Sequence, residues 1–268
     1  MTFKKKINRI LATLSQGKVP IGMQVDTANP GIIEILAYAG FDFYMLDMEH
    51  SRTNPETMEN CIRAADAAGI TTVVRVVQYD PGMIRHAKEA GAQGIIVPHV
   101  ETPQDMRKII DAVRYASEGK CGVCPTQRAA NYSSESFVEY TEYSNLNTMI
   151  IPLLEDKSGF ENAEDIFTML KPGVDAVGTG MGDLAFSLTE PGQKVNLKHP
   201  YVIEAAAKTA ALSKKTGVPI IDMAFSFEAA RETLNKGTKI LLFSIDQFLF
   251  YETCRDIVRG MRKMEAKA

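Results

Sequence analysis

Residues 29–55 read NPGIIEILAYAGFDFYMLDMEHSRTNP, and this stretch holds one complete unit of the pattern that decides the fold. Its first two residues are a capping side chain and a proline suited to the first helical position, so a helix is predicted to start there. Gly40 follows the helical residues and suits the left-handed conformation that ends a helix. An apolar run at 42–47 then predicts a buried strand, and the next Asn-Pro pair begins the cycle again.

The same cycle recurs along the chain. Capping residues precede prolines again at Asp80-Pro81 and Thr102-Pro103, and glycines follow helical patterns at Gly69, Gly91, Gly217 and Gly237. The predicted strands are 20–25, 42–47, 72–77, 94–98, 149–154, 175–179, 218–223 and 239–244. The predicted helices are 30–39, 55–68, 82–90, 103–116, 160–169, 200–215, 226–236 and 247–264, with an extra one at the N-terminus. Eight such units predict an α/β fold, a (β/α)8 TIM barrel in a single domain over residues 1–268. A doubly wound open sheet is the alternative, because a sequence does not show whether the sheet closes.

The composition excludes several classes of function. Apolar residues make up 45% of the 268 residues and charged residues 24%, which is typical of a globular protein with a sizeable core. A net charge of −3 argues against a nucleic-acid or polybasic membrane surface. We see neither an apolar run long enough to span a membrane nor a signal peptide. Four cysteines do not make a disulfide framework, so a reducing cytoplasm is the expected location.

One connection is longer than a barrel requires. About fifty residues separate Pro98 from Met149, and the excess lies near 117–146. Insertions of this length are often lids, binding loops or interface elements. The segment contains Cys121-x-x-Cys124, which lacks the flanking strand and helix of a redox motif and the partners of a zinc site. We interpret these cysteines as loop sequence.

Ionisable side chains gather where the predicted strands end. They are Asp47, Glu49 and His50 after the second strand, Arg75 at the end of the third, Glu155 after the fifth and Asp183 after the sixth. Each has an ordinary interpretation as a loop histidine, a structural ion pair or a helix cap. Active sites of these barrels lie at the carboxyl ends of the strands, and closure brings these ends to one rim. The occurrence of all these ionisable residues at one rim therefore predicts an active site there.

The residue types at this rim suggest metal-assisted chemistry on a 2-oxo acid. Carboxylates from adjacent strands without a third histidine suit a hard cation such as Mg²⁺ or Mn²⁺. Arg75 would stabilise an enolate oxygen, and His50, oriented by Asp47, would be the acid–base group. A Schiff-base lysine is disfavoured, because Lys239 lies at the wrong strand end and Lys157 in a loop. The glycine-rich stretch 178–182 would bind either a phosphate or a substrate carboxylate.

Several motifs together resemble the HpcH/HpaI aldolases over about residues 18–190. They are AYAGFD at 37–42, LDMEH at 46–50, VRV at 74–76, AQGIIVP at 92–98 and GDL at 182–184. The resemblance implies a class II aldolase that uses Mg²⁺, Mn²⁺ or Co²⁺ to cleave a 4-hydroxy-2-oxo acid into pyruvate and an aldehyde. It implies catalytic roles for His50, Asp47, Arg75 and Glu89, with Glu89 paired to the histidine, and metal ligation by Glu155 and Asp183. The substrate-binding residues that it implies are Gly180, Met181, Gly182, Asp183 and Arg75.

The resemblance also implies an assembly, and it has local departures. Family members are commonly homohexamers built as trimers of dimers, with the C-terminal helix, here about 247–264, packed on a neighbour. The sequence departs from the family pattern at Leu153, Met181-Gly182, Cys121 and His99. The expected partners are a small 2-oxo acid and an aldehyde, with no nucleic acid and no membrane. The alternatives are a related metal-enolate lyase or decarboxylase, and a non-catalytic barrel that binds 2-oxo acids.

Overall fold

The eight strands of the computed structural model, which describes residues 3–265, close into a parallel barrel in chain order. The last strand pairs with the first, so the closed (β/α)8 barrel is confirmed and the open sheet is excluded. The strands are β1 Ile21–Val25, β2 Phe43–Asp47, β3 Thr71–Arg75, β4 Gly94–Val97, β5 Met149–Leu154, β6 Val177–Thr179, β7 Ile220–Ala224 and β8 Ile240–Ile245.

Twelve α-helices surround or extend this barrel within the described residues. They are α1 Arg9–Ser15, α2 Pro30–Ala39, α3 Pro55–Ala68, α4 Pro81–Ala90, α5 Pro103–Val113, α6 Phe137–Asn147, α7 Lys157–Glu161, α8 Ala163–Thr168, α9 Met181–Ser187, α10 Pro200–Thr216, α11 Phe227–Asn235 and α12 Asp246–Glu265. A short 3-10 helix covers Arg128–Ala130. In this described part of the chain, no helix is long and apolar enough to cross a membrane.

The capping signals act as predicted. Asn29, Asn54, Asp80 and Thr102 each accept hydrogen bonds from main-chain N–H groups of the helix that follows, and each helix starts at the next proline. Gly40 ends α2 at a φ of 96°, a conformation that costs glycine little. The sequence did not predict α6 or α9, and the single helix expected at 160–169 is divided into α7 and α8.

The barrel interior is apolar over its lower layers and polar at its carboxyl end. Phe43 and Met45 of β2 point inward, and Ile10 of α1 packs beneath them to close the amino end. Gly22 of β1 faces the Phe43 ring, since a Cβ at this glycine would lie 2.4 Å from it. Inward-facing residues alternate along a strand, so the next inward position of β2 is Asp47. A carboxylate therefore sits directly on an apolar floor.

The long insertion packs at the amino end of the barrel. Tyr143 of α6 donates a hydrogen bond to the carbonyl of Lys6, and Arg128 bonds the Ala90 carbonyl and the Asp66 carboxylate. These partners lie near the N-terminus and at the last turns of α3 and α4, which lead into the starts of strands. These contacts lie away from the carboxyl rim, so they do not support the lid among the three alternatives, while a binding loop and an interface element stay predictions.

Candidate active site

A bidentate ion pair forms the centre of the carboxyl rim. Asp47 and Arg75 are register partners at the ends of β2 and β3. Arg75 donates from Nε to Asp47 Oδ1 at 2.8 Å and from Nη2 to Oδ2 at 2.7 Å. Burial alone would raise the pKa of Asp47, but the hydrogen bonds and charge of Arg75, together with main-chain N–H groups, lower it. The pair therefore holds the guanidinium plane in a fixed orientation.

Asp47 orients the turn that carries His50 through the main chain. Its carboxylate accepts the N–H of Glu49 at 2.9 Å and the N–H of His50 at 3.3 Å. The imidazole itself extends outward with 71% of its side chain exposed, and its Nε2 lies 3.8 Å from Glu49 Oε2. The structure thus brings His50 to the rim, but it shows Asp47 positioning Arg75 and the backbone rather than the imidazole.

Glu155 is the most desolvated acid on the opposite side of this rim. It is 5% exposed, and its Oε1 accepts the main-chain N–H of His99 at 2.8 Å. Burial raises the pKa of Glu155, and the negative charges of Glu49 and Asp183 raise it further. The charge of Glu155 is also among the causes that raise the pKa of Arg75, so the two side chains interact electrostatically across the rim.

A close approach of two chain segments places Glu155 beside the start of α9. A Cβ built on Gly180 would lie 2.5 Å from Glu155 Cβ and 3.0 Å from its Oε2, so only glycine fits there without displacement. Gly180, Met181, Gly182 and Asp183 form the beginning of α9 against this carboxylate. The structure therefore brings the predicted metal ligands and the predicted substrate-binding residues together.

His99 contributes more to the rim than its sequence position suggested. It adopts a φ of 53°, which is uncommon for a residue other than glycine. Its Nδ1 lies 2.9 Å from Asp156 Oδ2 and 3.3 Å from Glu155 Oε1, while its Nε2 lies 3.6 Å from Glu49 Oε1. The hydrogen bond with Asp156 is the main reason that the pKa of His99 is raised. His99 therefore links the β4 loop to the acidic side of the site.

The donor set fits a hard divalent cation held by few protein ligands. Over residues 3–265, no three His, Cys, Asp or Glu side chains converge as a ready-made metal cage. The negative charge of Asp183 is among the causes that raise the pKa of Glu155, and a cation bound beside Glu155 would relieve this repulsion. Oxygen ligands from two carboxylates, completed by water or substrate, suit Mg²⁺ or Mn²⁺.

A polar residue of β1, Gln24, and the residue that follows β1, Asp26, also belong to the rim, and the sequence interpretation missed them. Gln24 faces the barrel interior because it is the register partner of Met45, and Asp26 is the next residue of the same parity. Gln24 Nε2 donates to Asp26 Oδ1 at 2.9 Å and reaches Asp47 Oδ2 at 3.5 Å. A buried glutamine within an otherwise apolar strand was the available signal.

Comparison with known proteins places this site in a family. The family model described as HpcH/HpaI aldolase/citrate lyase matches residues 20–253. The chain belongs to this family. The HpcH/HpaI match extends well beyond the stretch of about 18–190 over which the sequence motifs applied, and it confirms the predicted resemblance.

Characterised relatives and solved structures of the HpcH/HpaI family cover almost the whole chain. A hydroxypyruvate/pyruvate aldolase of Sagittula stellata is 31% identical over 239 residues, which cover 89% of this chain and 92% of that protein. A 5-keto-4-deoxy-D-glucarate aldolase of Klebsiella pneumoniae is 30% identical over 256 residues, covering 96% and 97%. An HpcH/HpaI family structure from Burkholderia cenocepacia superimposes with a TM-score of 0.85 at 28% identity, covering 96% and 100%. This HpcH/HpaI member is therefore an enzyme of the lyase class, an aldolase.

Two residues that the resemblance singled out lie away from the rim. Glu89 is in the last turn of α4, a helix that runs antiparallel to the strands and so ends at their amino side. Within one copy of the chain Glu89 is thus not beside His50, and their pairing stays a prediction. Cys121 packs near Tyr115 at the same amino end. Leu153, by contrast, lies near the carboxyl end of β5, two residues before Glu155 and next to Gly178.

Proposed function

We propose that this aldolase cleaves a 4-hydroxy-2-oxo acid reversibly into pyruvate and an aldehyde, with a divalent cation at Glu155 and Asp183. The observation that carries the proposal is the Asp47–Arg75 pair, which aims a fixed guanidinium at the acidic side of the rim. A cation bound by the two carboxylates would act as a Lewis acid toward the oxygens of the 2-oxo acid.

Arg75 supplies the positive charge that the cleavage requires. Breaking the bond between C3 and C4 leaves its electron pair on the pyruvate part as an enolate. A guanidinium that is already oriented stabilises the enolate oxygen without reorganising during the reaction. Asp47 is fully buried and receives two of the Arg75 N–H groups, so the arginine keeps its charge and direction.

His50 moves the proton in this proposal. Cleavage removes the proton of the C4 hydroxyl, and the reverse addition returns it. An exposed imidazole at the rim reaches both substrate and solvent, and histidine is the side chain most often used as a general acid and base. The main-chain N–H groups near Gly180–Asp183 bind the substrate carboxylate.

Exchange of the pyruvate methyl protons in deuterated buffer tests this proposal. We expect exchange with Mg²⁺, Mn²⁺ or Co²⁺ and its loss when a chelator is added. Asp183→Asn should lose both exchange and Mn²⁺ binding measured by electron paramagnetic resonance. The matched control Asp165→Asn changes an exposed acid in the first turn of α8, which contacts none of the site residues, and should keep both. Exchange that persists without any divalent cation would refute the mechanism.

We also propose that the chain forms a homo-oligomer, a hexamer built as a trimer of dimers. The C-terminal helix α12 supports this, since Phe250, Tyr251, Ile257 and Met261 are all exposed on it. Sedimentation velocity measures the assembly, and a monomer at micromolar concentration would contradict it. The single domain over 1–268 and the cytoplasmic location stay predictions.

A further inference from the structure

Gln24 and Asp26 at the end of β1 present hydrogen-bond acceptors to the mouth of the barrel. Gln24 is 95% buried, since its exposure is 5%. Its side-chain nitrogen has two hydrogens, one directed to Asp26 and the other toward Asp47. With both hydrogens committed, only the carbonyl oxygen Oε1 is left for a ligand.

Asp26 adds a second acceptor at this position. Its Oδ1 accepts from Gln24, while its Oδ2 and the Gln24 Oε1 receive no hydrogen bond from any residue between 3 and 265. Burial raises the pKa of Asp26, and the charges of Asp47 and Asp246 raise it further, while the Gln24 hydrogen bond and the charge of Arg75 oppose them. Asp26 is thus close enough to Asp47 and Arg75 for their charges to affect its pKa. Neither oxygen is fully buried, so water reaches both, and a ligand hydroxyl would bind by taking the place of that water.

The surrounding chain holds this acceptor pair in place. Asp246, the first residue of α12, accepts the main-chain N–H of Asp26 at 3.0 Å and that of Thr27 at 3.3 Å. Asp246 is itself 8% exposed and also accepts the Thr27 hydroxyl. The turn after β1 is therefore fixed to the start of α12, and the acceptors do not depend on a free loop.

We propose that Gln24 and Asp26 form a specificity subsite that binds a hydroxyl group of the aldehyde and disfavours a carboxylate there. The inference rests on the proposed aldol reaction and names the class of its second substrate, an uncharged hydroxyaldehyde. A hydroxyl donates to the acceptors, whereas a methyl leaves them unpaired and a carboxylate meets the negative charge of Asp26. Sites built to bond a hydroxyl discriminate strongly against analogues that lack it.

Aldol addition of pyruvate to three aldehydes tests the subsite in the full-length Mn²⁺-loaded enzyme. The probes are D-glyceraldehyde, propionaldehyde, which has the same carbon chain without hydroxyls, and succinic semialdehyde, which carries a carboxylate. We expect kcat/KM to be about tenfold higher for glyceraldehyde than for propionaldehyde, and lowest for the semialdehyde. Equal values for glyceraldehyde and propionaldehyde in the unmodified enzyme would overturn the inference without any variant.

Asp26→Asn then assigns the preference to this residue. Because the glyceraldehyde-to-propionaldehyde ratio is taken within each variant, general damage to the enzyme cancels. We expect the ratio to fall about tenfold in Asp26→Asn, to recover in part in Asp26→Glu, and to stay unchanged in Glu164→Gln, a surface acid paired with Lys215. A ratio within twofold of the unmodified enzyme in Asp26→Asn would overturn the assignment.

Failure of this inference is distinguishable from failure of the proposed reaction. Pyruvate proton exchange needs no aldehyde. If exchange depends on the metal but Asp26→Asn leaves the glyceraldehyde-to-propionaldehyde ratio unchanged, only the proposed subsite is refuted. If the unmodified enzyme shows no exchange, the proposed reaction itself is refuted.

Discussion

Replacing Gly180 by alanine tests whether the contact between β5 and α9 sets the metal site. An added Cβ would lie 2.5 Å from Glu155 Cβ, whereas carbon atoms in contact prefer about 3.5–4.0 Å. Glu155 must therefore move by about 1 Å. The φ of −93° and ψ of 63° at Gly180 are near the inverse γ-turn conformation, which alanine also adopts, so the cost arises from this contact and not from the backbone. A displacement of about 1 Å at a reacting group can lower a rate about 100-fold.

We therefore expect Gly180→Ala to lower the pyruvate exchange rate about 100-fold and to weaken Mn²⁺ binding at least about tenfold. Overpacking should lower the free energy of unfolding by about 1–3 kcal/mol, which urea titration measures. Gly182→Ala is the matched control, because a Cβ there would meet nothing within 4 Å. It keeps its main-chain N–H and should bind Mn²⁺ as the unmodified enzyme does. If Gly180→Ala folds and its Mn²⁺ affinity stays within threefold, the close-approach argument is refuted.

Three further substitutions test the electrostatics of the fold and the site. Asp47→Asn should cost about 3 kcal/mol of unfolding free energy in urea, because it removes the fully buried carboxylate of the bidentate pair and leaves Arg75 with Glu49, at 3.3 Å, as its remaining ion-pair partner. A loss below about 1 kcal/mol would contradict this. Glu155→Gln should raise the melting temperature measured in chelator near pH 7, because the raised pKa of Glu155 means that its charged form is disfavoured in the folded state. The same substitution should reduce the additional increase in melting temperature that Mn²⁺ produces. A lower melting temperature in chelator would refute the proposed effect of the Glu155 charge. Lys88→Met tests a buried lysine whose pKa is lowered to about 8, mainly by burial. Between pH 8 and pH 10.5 the folded state has lost a proton that the unfolded lysine still holds, so stability rises with pH. We expect the unfolding free energy of the unmodified enzyme, taken relative to that of Lys88→Met, to rise by about 3 kcal/mol over this range. A difference between the two proteins that does not change with pH would contradict this.

Much of the fold was predictable because the signals for it are local. Each Asn-Pro, Asp-Pro or Thr-Pro pair fixes where a helix begins, and each left-handed glycine fixes where it ends, without reference to distant residues. Helix α6 carries no such signals, and its side chains pack on the N-terminal segment through tertiary contacts such as that of Tyr143. Helix α9 follows two glycines that favoured a loop interpretation, so the contact with Glu155 was not expected.

The candidate site was predictable as a set of residues but not as a set of contacts. Polar residues after apolar strands identified Asp47, Arg75 and Glu155, since a parallel barrel gathers strand ends. The partner of each group depends on side-chain direction, which a sequence does not contain. Asp47 therefore proved to hold Arg75 rather than the His50 imidazole, and Gln24 was overlooked because its face of β1 was unassigned.

The closure of the barrel by Ile10 has a consequence for how variation is tolerated in this chain. With α1 sealing one end and apolar layers above it, water and ligands reach the charged residues from a single direction. The rim residues thus share one entrance, while the layers below never meet a substrate. Substitutions in the lower layers should change how firmly the enzyme folds. Substitutions of rim residues that are exposed and make no buried ion pair, unlike Asp47, should change mainly which molecules it accepts. New substrate preferences can therefore arise at those exposed rim positions with little effect on folding.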